Sequence, residues 1–258
     1  MNRTYAQAMT DVPVHARQPG SAPTYGRELL ELLRIVVVAG VAVGILVIGL
    51  GGRLAMLLLR LTSPGDVVGV TSDDGFEIGR TTLAGTYNLM LVGASVGLIG
   101  AVAYVAVAPW LIGRRWFRYL TVGVTAAALG GALLLHDDGV DFTRTGPLWF
   151  AVALFLALPF GSGVALAAVT DAVSRPGSWT SRGHARWVLP VVLVGLVLPV
   201  LPLLLPLTVV LAVLLALHRL LLAPIRASTV ATLAVRSAFF AIPALSFVAL
   251  GQDLAELF

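Results

Sequence analysis

Two arginines stand out against an apolar background. Arg53 sits in the run Gly51-Gly52-Arg53-Leu54-Ala55-Met56, and Arg60 follows seven residues later. Seven residues are close to two helical turns, so both guanidinium groups fall on one face of a helix. A charge inside a membrane span is costly and often functional, which points to contact with an anion or a lipid headgroup. The plainer reading is that Arg53 snorkels toward water, or anchors a loop by pairing with Asp73 or Glu77. A second set is acidic: Asp73, Asp74 and Glu77 in one loop, and His136, Asp137, Asp138 and Asp141 in another. Two facing loops of this kind offer the oxygen ligands that hard divalent cations take. Neither loop carries an Asp-x-Asp-x-Asp-Gly pattern, so turn-forming Asp with Arg80 and Arg144 as local partners is the simpler account, and no metal is assigned. A third feature is Pro159-Phe160-Gly161-Ser162-Gly163. Proline here should kink or break its helix, and a broken helix exposes backbone dipoles of the kind that transporters use.

Enzyme signatures are missing. There is no His-Glu-x-x-His, Walker loop or Gly-x-Gly-x-x-Gly, and Gly161-Ser162-Gly163 is not a nucleophile elbow. With zero Cys, thiol nucleophiles and thiolate metal sites are excluded. No catalytic residue and no cofactor is therefore expected.

The elements that position these residues are membrane helices. Of 258 residues, 58% are hydrophobic and 12% charged, about half the charge of a soluble domain. The apolar residues fall in blocks long enough to cross a bilayer, which takes roughly 20 residues per helix. All 17 basic residues are Arg, and they lie in short stretches beside the apolar blocks. The net charge of +4 then reads as a topology signal, not as a nucleic-acid footprint.

Residues 1–26 are polar, carry Pro13, Pro19 and Pro23, and read as a disordered cytoplasmic tail. Residues 27–258 form an all-α polytopic domain. Spans are expected at about 32–59, 86–111, 119–135 and 148–169. Gly40 and Gly44 in the first, and Gly93, Gly97 and Gly100 in the second, make tight packing faces. The stretch 187–222 holds Pro190, Pro199, Pro202 and Pro206. One helix of that length would be about 54 Å long, too long for a single span. Two helices turning at Pro199–Pro206 fit better. The last span is expected at about 230–250. Arg concentrates before residue 35, after the second span, after the fourth, and between His218 and Arg236. Keeping these clusters inside gives a cytoplasmic N-terminus and seven spans, with six as the runner-up.

Asp73–Thr81 and Asp137–Thr145 match at five positions, so residues 27–112 and 117–171 are candidates for a parallel repeat. Asp-Gly between β-prone residues also predicts a short outer β-hairpin over residues 67–80.

The order Gly51-Gly52-Arg53-Leu54-Ala55-Met56, Ser72-Asp73-Asp74-Gly75-Phe76, Asp138-Gly139-Val140-Asp141-Phe142 and then Ala153-Leu154-Phe155-Leu156-Ala157-Leu158-Pro159 resembles a group of uncharacterised actinobacterial multi-pass membrane proteins. The resemblance implies a bacterial plasma membrane and carries no activity with it. The first expectation for function is a non-enzymatic packing, accessory or assembly component that meets the bilayer, a second copy or a membrane protein partner. The alternatives are a small permease or channel for an apolar or lipid-like solute, and a lipid-acting membrane enzyme.

Overall fold

The computed structural model describes residues 25–63, 82–134, 147–175, 177–178, 180, 182–218, 220 and 229–257. The expected hairpin over residues 67–80 lies outside them, as does the tail up to residue 24. Among the described residues the protein is all-helical, with no strand.

The chain forms α1 (Tyr25–Thr62), α2 (Leu83–Trp110, its last turn a 3₁₀ turn), α3 (Arg115–Leu134), α4 (Leu148–Val173), α5 (Ala185–Leu196), α6 (Leu201–Leu217, entered through a 3₁₀ turn at Leu198–Val200) and α7 (Thr229–Leu257). Four segments, Tyr25–Thr62, Leu83–Trp110, Leu148–Val173 and Leu198–Leu217, are long and apolar enough to cross a bilayer. This is a membrane protein.

Helix α1 is the hub and touches α2, α4, α5 and α6. It meets α2 backbone to backbone. A Cβ added to Gly44 would lie 2.2 Å from the carbonyl oxygen of Gly93, and one added to Gly97 would lie 2.1 Å from that of Gly40. The order of these pairs, Gly40 with Gly97 and Gly44 with Gly93, makes the two helices antiparallel. In a bilayer, helices associate by packing and not by expulsion of water, so a glycine pair is where backbones close most tightly.

A π-helical turn, Gly44–Gly49, interrupts α1. At about 100° per residue a regular helix would carry Gly49 roughly 140° away from Gly44. The wider turn spends five residues on one hydrogen-bonded cycle and returns Gly49 to the crossing face. There a Cβ on Gly49 would lie 3.0 Å from the Cα of Met90. Val36, Val41 and Leu98 are fully buried along this seam.

Helices α3 and α4 form a second antiparallel pair. Gly163 sits over Val122 and Gly123, and Gly130 over Pro159. The expected break at Pro159 does not occur: α4 is continuous from Leu148 to Val173. Ser162 Oγ donates to the Pro159 carbonyl at 2.8 Å, and the proline ring fills the space left by Gly130.

The proline-rich stretch goes out and comes back. Arg186 at the start of α5 bonds Glu31, near the first turns of α1. At the far end of α5 the Leu196 carbonyl accepts from Tyr87, near the opposite end of the α1–α2 pair. The Ala212 carbonyl, eleven residues into α6, accepts from Tyr25, back at the start of α1. The reversal falls at Val197–Val200, beside Pro199 and Pro202, where a missing N–H costs the helix least.

Candidate functional site

Arg53 is an anchor between α1 and α2. Its Nε donates to Thr86 Oγ1 at 3.1 Å and its second terminal nitrogen to the Thr82 carbonyl at 3.3 Å. Thr82 is also the N-cap of α2, accepting from the Gly85 N–H at 3.1 Å. The guanidinium therefore ties the C-terminal half of α1 to the first turn of α2. Arg60 is exposed in the last turn of α1. The acidic set Asp73, Asp74, Glu77, His136, Asp137, Asp138 and Asp141 lies outside the described residues. Among the described residues, no group of three or more His, Asp or Glu is placed to hold a metal ion.

Two charged clusters at the other end were not legible as sites in the sequence. Arg34 is 4% exposed. Its Nε donates to Glu31 Oε1 at 3.1 Å, and its Nη1 to the Thr180 carbonyl at 3.0 Å. Arg186 donates to the other Glu31 oxygen at 3.1 Å, and its guanidinium stands 5.3 Å from the centre of the Trp187 ring. One carboxylate thus sits between two guanidinium groups, and the trio keeps one positive charge. The i, i+3 spacing of Glu31 and Arg34 was a readable helix pair; the two contacts with residues 180 and 186 bridge about 150 positions and carry no sequence signal.

The second cluster centres on Asp171, which joins three helices. Tyr104 of α2 donates to Oδ1 at 2.8 Å, and Tyr119 of α3 to Oδ2 at 3.2 Å. Tyr104 is 2% exposed, so its hydroxyl needs this acceptor. Arg118 donates to the Ala108 carbonyl at 3.3 Å and closes the α2–α3 turn.

Beside the Glu31 trio, α1, α5 and α6 leave a groove of about 270 Å³. Leu33, Val37, Pro190, Val194 and Leu204 make its apolar walls, and Arg34 and Trp187 complete the lining. It opens to the outside of the bundle, where Leu30 and Val191 are exposed.

No protein-family model, no curated protein and no solved structure matches this chain.

Proposed function

We propose that the protein is a non-enzymatic, multi-pass component of a bacterial plasma membrane that serves as a packing or assembly partner, for a second copy or for another membrane protein. One observation carries this reading. Arg34, Arg53 and Asp171, charged residues of the long helices, are each held by groups of the chain itself. Arg53 and Asp171 tie helices together and Arg34 ties α1 to the loop before α5, which is a structural task. Helix α7 adds to the case. It packs on α3, and its Val230, Leu233, Leu245 and Val248 are exposed, an apolar side suited to a neighbour in the bilayer.

The threading we propose has seven spans, with the N-terminus inside and the C-terminus outside. The reversal at Val197–Val200 supports it, because it brings the C-terminal half of α6 and the Arg186 end of α5 both back to the start of α1. With no native Cys, single cysteines at Ala6 and Gly251 report each terminus cleanly. Labelling by an impermeant thiol reagent on opposite sides of the membrane fits seven spans; labelling on one side fits six.

The functional test is the mass of the intact complex released from the native membrane in mild detergent. The expected result is a stoichiometric protein partner or a defined oligomer. A monomer without protein partners would contradict the proposal. Solute flux by that monomer in proteoliposomes would favour a small permease for an apolar or lipid-like solute, the reading that the groove supports.

A further inference from the structure

The groove between α1 and the α5–α6 hairpin is apolar, and the Glu31 trio lies beside it through Arg34 and Trp187, which line it; that combination selects a ligand. We propose that it binds an anionic phospholipid, with one acyl chain along the apolar walls and the phosphate at Arg186. This inference rests on the membrane placement of the bundle and goes beyond its proposed assembly role.

The walls are apolar and open outward; Val191 is 71% exposed on the rim. A groove of this kind in a bilayer is bordered by lipid, so an acyl chain is the occupant at hand. The trio fixes the headgroup. Glu31 balances one of its two guanidinium partners, which leaves one positive charge at the mouth. Of the two, Arg34 is enclosed and committed to Glu31 and Thr180, whereas the Arg186 side chain is 33% exposed. The exposed part of that side chain is its guanidinium tip, since Nε is buried. Trp187 stacks beside it, a residue favoured at the membrane–water boundary. That sets the mouth at headgroup depth.

The amino end of α5 adds to the attraction. Arg186 lies in the first turn of a twelve-residue helix, and His184 at its N-cap makes no side-chain bond to it. The first N–H groups of a helix and its dipole favour an anion. Arg182 and His184 are exposed on the approach. Basic pockets between helices at the cytoplasmic side are the usual place for anionic headgroups.

The test uses the full chain in mild detergent, titrated with phosphatidylglycerol or with phosphatidylcholine of the same acyl chains, and read by native mass spectrometry. The wild type should retain phosphatidylglycerol roughly tenfold more tightly, because choline's ammonium cancels the net negative charge that the surplus positive charge of the trio attracts. Arg186→Gln should erase that preference. Val191→Trp, which obstructs the groove and leaves the Glu31 trio intact, should lower retention of both lipids. Equal retention of the two lipids by the wild type overturns the proposal. So does wild-type retention of phosphatidylglycerol by the Val191→Trp protein, which decides the matter even where Arg186→Gln fails to fold.

Discussion

Two antiparallel helix pairs of this protein solve the same problem in opposite ways. The α1–α2 pair closes through glycine, and the α5–α6 pair turns through proline. In the first, Gly40, Gly44, Gly93 and Gly97 bring backbone against backbone, and a Cβ at Gly44 would lie 2.2 Å from a carbonyl oxygen. In the second, Gly195 has nothing within 4 Å of the place where its Cβ would stand. Helix α5 buries none of its residues fully, whereas α1 buries nine between Arg34 and Val43. Glycine in a membrane helix is therefore not one signal. Facing another glycine it builds an interface; alone beside prolines it marks a segment that leaves room.

The comparison can be broken most forcefully at the crossing. Gly97→Val would push a branched side chain onto the Gly40 carbonyl, 2.1 Å from the new Cβ. Backbone on both sides cannot yield, so the cost should exceed about 3 kcal/mol. The expected outcome is aggregated protein in size-exclusion chromatography. The same change at Gly195 should leave a normal elution profile.

Next in size is the enclosed charge. Arg34→Ala removes the guanidinium that satisfies Glu31 Oε1 and the Thr180 carbonyl. Glu31 keeps Arg186, so the cost is that of two acceptors left without a donor, about 1–3 kcal/mol each. A large fall in thermal midpoint is expected, and Glu31→Gln in the same chain should recover part of it.

Arg53→Ala should cost about 1–3 kcal/mol, the range for hydrogen bonds made by a charged group. Arg53→Lys should restore less than half, because one ammonium cannot span Thr86 Oγ1 and the Thr82 carbonyl as a planar fork does. A midpoint unchanged by Arg53→Ala would move the residue from anchor to ligand contact.

The smallest effect belongs to the looser pair. Tyr87→Phe removes an exposed bond of 3.3 Å to the Leu196 carbonyl. The expected loss is about 0.5 kcal/mol. A loss as large as that of Arg34→Ala would show that the α5–α6 turn is held as firmly as the glycine crossing.

Much of this architecture was legible in the sequence. Apolar blocks set the helices, and the small-residue spacing of Gly40 with Gly44 and of Gly93 with Gly97 marked the faces that meet. Gly49 was not legible, because regular helix periodicity places it off that face and only the π turn returns it. The reversal near Pro199 was readable from the length of its stretch. The continuity of α4 through Pro159 was not, since the proline ring finds room against Gly130 of α3, a contact 29 positions away. The ties of Asp171 to Tyr104 and Tyr119 were not legible either; they span 67 and 52 positions, distances at which spacing says nothing. Arg53 was legible as important, and its partners proved to be two threonines of α2.

The central structural claim is that the glycine crossing of α1 and α2 holds the bundle while the proline hairpin leaves it open. The most direct measurement compares the thermal midpoints of Gly44→Ala and Gly195→Ala in the same detergent. One methyl group at Gly44 should lower the midpoint sharply or abolish folding, because it meets backbone on α2. The same methyl at Gly195 should leave the midpoint unchanged or raise it, since alanine favours a helix over glycine by about 1 kcal/mol. Equal midpoints for the two variants, or a larger loss at Gly195, would contradict the account.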